Sequence, residues 1–268
     1  MSRRLTILAG AGALVPEVIE GARAAGDQVQ VLPLVERPDL GLEGRFTMKT
    51  LPRLLWKIAA FRSTHVTMVG GLRASHADRV ALQRFSGMGR SGGLSGDVTV
   101  LRAAEKILAM TGAKVVGAES IVPSILAAEG QIAGPALPPR LRADAELALR
   151  TARAIGALDI GQAAIVGGGR VVAVEDIAGT DALIARVAGY RDEGLDSDLV
   201  LAKALKPHQA RVVDRPAIGP DTIRNAARAR IAAIIVEAEG AIIIDRAGFE
   251  AAANEAGISV FGLRADEY

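Results

Sequence analysis

The sequence contains no cysteine, which excludes a disulfide framework and any thiolate metal site. Aromatic residues make up only 3% of the 268 positions. That argues against an aromatic-rich β-sandwich and against a surface that stacks nucleic-acid bases. Histidine is rare as well: His65, His76 and His208 fall in no metal-ligand spacing. No apolar run approaches the ~18 residues that a membrane-spanning helix needs. The opening "MSRRLTILAGAGALVPEVIE" has a basic pair but too short an apolar core for secretion. These absences lead to the expectation of a cytoplasmic chain with, at most, peripheral membrane contact.

Aliphatic residues are plentiful: half of the sequence is apolar, mostly Ala, Val, Ile and Leu. Such a composition suits helices packed on buried strands. In the first half, short apolar runs at 5–10, 28–35, 65–71 and 113–118 alternate with segments of helical periodicity, one carrying Leu51, Leu54, Leu55 and Ile58. That alternation predicts an α/β fold with a Rossmann-like, doubly wound sheet whose ligand chemistry sits at the carboxyl ends of the strands. Pro135, Pro138 and Pro139 interrupt the pattern and suggest a stiff linker. The expected domains are therefore 1–134 and 135–268. The second reads as an α/β domain with hairpins, one at 163–175 around Gly167-Gly168-Gly169 and another at 232–245.

Charge is unevenly spread. Between Gly41 and Arg102 there are ten Lys or Arg residues against Glu43, Asp78 and Asp97. This is either a solvated face or a surface for phosphates and anionic lipid headgroups. Few aromatics accompany it, so nucleic acid is not the expected partner.

Glycine-rich turns mark the candidate phosphate seats. "AGAGALV" sets Gly10, Ala11 and Gly12 between a strand and a helix, where backbone N–H groups are expected to receive a phosphate. Val15 occupies the third-glycine position of a dinucleotide fingerprint, although Glu36 stands where an acid could grip a ribose. Gly70, Gly71 and Arg73 repeat the logic after the third strand. Five glycines in "SGMGRSGGLSGD" (86–97) suggest a lid. In the second half, Glu175 ends a strand, Gly179, Thr180 and Asp181 open a helix, and Lys203 ends the next strand. Thr180 or Asp181 also suits a plain helix cap. Together, carboxylates, a hydroxyl and lysines are parts for a Mg²⁺-assisted reaction at phosphorus.

The segments "GALDIGQAAIV", "VVAVED" followed after two residues by "GTDALIAR", "KALKPHQ", "VDRPAIGPDT" and "IIVEAEGAIIIDR" carry a resemblance. With "LTILAGAGALVPEV", "MVGGLRA" and "VVGAESIVPSILAAEG", they resemble the UDP-2,3-diacylglucosamine pyrophosphatase family of lipid A biosynthesis. This is the two-domain family, distinct from the calcineurin-like metallophosphoesterases. The resemblance implies Mg²⁺-dependent hydrolysis of a lipid-bearing nucleotide sugar to UMP and 2,3-diacylglucosamine 1-phosphate (lipid X). It also implies a Gram-negative cytoplasm, peripheral access to the inner membrane, and a homodimer. Carried onto this sequence, Lys203 and Lys206 neutralise the diphosphate, and Gln209 and Thr180 hydrogen-bond its oxygens. Asp214, Asp181 and Glu175 handle metal or water.

The sequence departs from the family pattern in the loop at 206–214. The family reads Lys-Pro-Gly-Gln-Asp, whereas here His208 replaces the glycine and Ala210 replaces the aspartate. Asp214 retains the second acid, and Ala178 stands where the family carries Glu. Ala210 suggests an inactivated variant, the alternative being a natural divergence in which Asp176 or Asp214 supplies the acid. Two rival readings are a non-catalytic nucleotide-sugar sensor and an NAD-dependent oxidoreductase using Gly10, Gly12 and Glu36.

Overall fold

A computed structural model describes residues 2–71, 97–206 and 215–264. The chain forms two compact units, dividing between Pro123 and Ser124. This division lies ahead of the one read from the prolines at 135–139. The reason is a strand, Gly130–Ala133, which pairs antiparallel with Ser259–Leu263 near the far end of the chain and so ties the proline-rich stretch to the second unit.

The first unit begins with β1 (Arg4–Ala9), α1 (Leu14–Ala24) and β2 (Gln28–Pro33). It continues with α2 (Leu51–Ala60), β3 (His65–Val69), α3 (Asp97–Ala109) and β4 (Lys114–Val115). The strands run parallel in the order β2-β1-β3-β4. Strand order reverses beside β1, so right-handed crossovers send its connections to opposite faces, the doubly wound arrangement expected. Helix α1 forms because Leu14, Val15, Val18, Ile19 and Ala22 recur on one buried stripe. Leu8, Leu32 and Val66 form a core with Leu51, Leu54 and Ile58 of α2 and Ile107 and Leu108 of α3.

The second unit contains β5 (Gly130–Ala133), α4 (Arg142–Ala157), β6 (Ala163–Gly167), β7 (Arg170–Val174) and α5 (Thr180–Asp192). Next come β8 (Leu199–Lys203), β9 (Ala217–Ile218), α6 (Pro220–Arg228), β10 (Ile231–Glu237), β11 (Ile242–Ile243), α7 (Arg246–Ala256) and β12 (Ser259–Leu263). Six strands make one mixed sheet in the order β5-β12-β10-β8-β6-β7. The two-residue period of β8 sorts its side chains between two cores. Val200 and Ala202 meet α4 through Ala145, Ala148, Leu149 and Ala152. Leu199 and Leu201 join Leu183, Ile223 and Phe249 of α5, α6 and α7. The result is a three-layer α/β unit.

The expected hairpin β6–β7 is present. The second expected hairpin is not. Strand β10 is nearly buried along its length and lies between parallel neighbours β8 and β12. Ile242–Ile243 instead pairs with Ala217–Ile218 in a separate ribbon. A strand apolar on both faces needs partners on both edges, and here parallel strands take both. Among the described residues, no helix is long and apolar enough to cross a membrane.

Candidate functional site

In the first unit the glycine turns sit at the tips of β1 and β3, beside the point where strand order reverses. The two tips grip each other: Ala11 N donates to Gly71 O at 2.9 Å, and Gly71 N donates to Ala11 O at 2.8 Å. Gly10 N donates to Val69 O at 2.8 Å. The sequence reading treated these amides as phosphate donors, but all three are spent on the backbone. Gly10 and Gly70 are needed for the close approach itself. A Cβ on Gly10 would lie 2.8 Å from Gly71 O, and one on Gly70, at φ +90°, would collide with the Ala11 carbonyl. The donors left for an anion are those that open α1, beginning at Gly12, where no side chain caps the helix.

Glu36 is exposed, and its neighbour Arg37 turns inward instead. Arg37 is 5% exposed. It donates from Nη1 to the Gly10 carbonyl at 2.6 Å, and Asp39 holds its other edge at 2.6–3.1 Å. That pairing with Asp39 is the main influence raising the Arg37 pKa and lowering that of Asp39. A buried arginine thus pins the glycine tip. Nothing in its sequence context distinguished it from the surrounding charged residues.

In the second unit three connections meet at one end of the six-stranded sheet. They are the turn into β6, the turn out of β7, and the segment leaving β8. Lys203 pairs with Ala163 across β6–β8, while Glu175 N donates to Ala163 O at 2.8 Å from the other side. Glu175 and Lys203 therefore flank the first residue of β6, as expected.

The Glu175 carboxylate is 6% exposed. Its Oε1 accepts the Thr180 hydroxyl at 2.8 Å, and its Oε2 accepts Gln162 N at 2.7 Å. Gly161 permits this packing, since a Cβ there would reach 2.5 Å from the Glu175 carbonyl oxygen. Thr180 opens α5 behind Gly179, whose φ of +87° suits glycine. Asp181 points elsewhere and is exposed, accepting from Asn225 Nδ2 of α6 at 3.0 Å. The neighbouring Asp176 has its pKa lowered first by the Arg186 guanidinium and then by the Ala178 N–H.

Lys203 Nζ donates to Ala217 O at 3.0 Å. Lys206, 9% exposed, pairs with Asp159 Oδ1 at 2.7 Å. Glu237, at the end of β10, accepts Leu205 N on Oε2 at 3.0 Å and faces Arg153 Nη1 at 3.2 Å. It fixes the chain between the two lysines. Gln162, Asp159 and Glu237 were quoted within sequence motifs but given no role. Their work is to hold backbone and lysine in place, which residue type does not advertise. Arg73, the 86–96 glycine stretch, His76, His208, Gln209, Ala210 and Asp214 lie outside the described residues.

Mg²⁺ is usually held by one or two carboxylates plus the substrate's phosphates. No three acids or histidines converge among the described residues. Both Glu175 oxygens already accept donors, and Asp181 is engaged with Asn225. The described acids therefore do not fit a dedicated metal cage. What they fit is an anion seat: two cations anchored by neutral or acidic partners, with a hydroxyl positioned at a helix start.

Residues 4–125 match the family model of the LpxI N-terminal domain, and residues 128–261 match that of the LpxI C-terminal domain. The chain belongs to the LpxI family. A relative from Caulobacter vibrioides, the UDP-2,3-diacylglucosamine pyrophosphatase LpxI, is 33% identical over 99% of each chain. The two family matches meet between residues 125 and 128, close to the division seen in the fold.

Proposed function

We propose that this LpxI-family chain acts on UDP-2,3-diacylglucosamine, with water attacking one phosphorus and the bridging P–O bond breaking to give UMP and 2,3-diacylglucosamine 1-phosphate. The full-length similarity to the Caulobacter pyrophosphatase carries this reading. The strand-end cations support it. In this proposal Lys203 and Lys206 neutralise the charge that grows on the phosphoryl oxygens. Thr180, set by Glu175, offers a hydroxyl to an oxygen of the same group. Gly12 and the first turn of α1 take an anionic group of the substrate.

Mg²⁺ is part of the proposal, supplying further charge neutralisation when bound. Its ligands would be the substrate's phosphates and Asp214 rather than the acids described above. Peripheral access to a membrane and a homodimer also belong to this reading.

Ala210 stands where the family sequence has an aspartate, and we propose that it lowers turnover while sparing binding. Release of UMP from the diacylated substrate should rise by roughly two or more orders of magnitude in the Ala210→Asp variant if that acid acts in the transition state. Equal rates in the two proteins would overturn the role given to position 210. Tight substrate binding without turnover in both would favour the sensor reading, which Ala210 keeps in play.

A further inference from the structure

We propose that the solvent face of α2 docks on an anionic lipid bilayer, with Trp56 as the side chain that enters it. Helix α2 turns Leu51, Leu54 and Ile58 into the core of its unit. Trp56 lies on the opposite face and is 67% exposed, although tryptophan is the side chain with the most apolar area to hide. Its helical neighbours four positions before and three and four after are Pro52, Ala59 and Ala60, all exposed. They form a smooth apolar strip around the indole.

Five cations, Arg45, Lys49, Arg53, Lys57 and Arg62, occupy this segment, and no Asp or Glu occurs from Arg45 to Arg62. No ion pair among the described residues engages any of them. A helix with a second, tryptophan-centred apolar strip edged by unpaired cations has the pattern of an interfacial helix. The indole seats at the headgroup level, and Lys and Arg stems lie along it with their charges toward phosphate. Charge complementarity therefore selects an anionic bilayer as the occupant. The argument uses exposure and charge alone and stands apart from the proposed hydrolysis.

Trp56 is the only tryptophan in the sequence, so its fluorescence reports on this face directly. The full chain is titrated with vesicles of phosphatidylcholine, alone or with about a third phosphatidylglycerol, a proportion chosen to give a negative surface. The expected result is a blue shift of emission and quenching by brominated acyl chains, seen only with the anionic vesicles. Reversing two cations in Arg53→Glu/Lys57→Glu keeps the reporter and should weaken binding by about 25-fold or more, taking about fivefold per charge. Trp56→Ser, at an exposed site, should reduce co-flotation and leave the melting temperature and the hydrolysis of detergent-dispersed substrate unchanged.

Three results would overturn the proposal. One is co-flotation with unchanged Trp56 emission, meaning that another face docks. Another is an equal shift with neutral vesicles. The third is a shift produced by RNA and not by vesicles.

Discussion

Glu175 is the residue whose role can be separated most sharply by experiment. Its two oxygens hold the Thr180 hydroxyl and the Gln162 amide at 2.8 and 2.7 Å, so it acts as a strut between the turn into β6 and the start of α5. A hydrogen bond to a charged group contributes about 1.5–3 kcal/mol. Glu175→Ala removes both and strands two donors, one of which, the Thr180 hydroxyl, is half-buried and recovers water. The net cost should be about 3–5 kcal/mol, a large share of a domain's ~5–15 kcal/mol.

Glu175→Gln keeps one acceptor oxygen but turns an NH₂ toward the other donor, for a cost of about 2 kcal/mol. At roughly 2–4 °C per kcal/mol, calorimetry should show a fall of about 4–8 °C in the transition of the second unit. Thr180→Val alone should cost about 1–2 kcal/mol, and the double variant should be non-additive because the two share one bond. UMP release, measured in the Ala210→Asp background, should fall with Thr180→Val and Glu175→Gln together. A Glu175→Gln protein that melts like its parent but loses turnover would refute the strut reasoning and make Glu175 a group that touches the reacting atoms.

Lys203→Met, in the same Ala210→Asp background, should reduce UMP release by about 10²–10³-fold. Its melting temperature should change little, because only the bond to the Ala217 carbonyl is lost. Gly70→Ala should destabilise the first unit by about 2 kcal/mol or more, since φ is +90° and the new methyl meets the Ala11 carbonyl; thermal melts followed by Trp56 fluorescence check this. Burial raises the Glu105 pKa above its ordinary 4.5, against a lowering by Arg102, and Glu105 Oε1 has no partner among the described residues. The folded state therefore holds the proton more tightly than the unfolded chain, and stability is lost as pH rises through the folded value. Glu105→Gln should melt higher than the parent at pH 7, with the gap closing below the ordinary value; an unchanged difference across pH would refute it.

Much of the fold was legible because its signals are local. The stripe Leu14-Val15-Val18-Ile19-Ala22 announces a helix, and "LVLAK" a buried strand. The partnership of β10 was not legible. "AAIIVEAEGAIIID" has the look of a hairpin, but which edges a strand pairs with is decided by residues far away in the chain, here Leu199–Lys203 and Ser259–Leu263. The same holds for β5, whose antiparallel partner closes the chain.

At the site, residue type pointed to Glu175, Thr180, Lys203 and Lys206, and the sheet end brings their elements together. Type could not distinguish donors that are free from donors that are spent. Gly10, Ala11 and Gly71 looked available until their mutual bonds were seen. Arg37 and Glu237 are ordinary charged residues in sequence and become organisers only through burial.

Lys206 comes to any encounter already married to Asp159. An incoming anion must share the ammonium with that carboxylate or displace it, and a lone, weakly charged phosphate is poorly equipped to compete. A ligand with two linked phosphoryl groups can secure Lys203 first and then contest Lys206 at close quarters. The resident aspartate thus makes this end of the sheet a discriminator of how many phosphates arrive joined together.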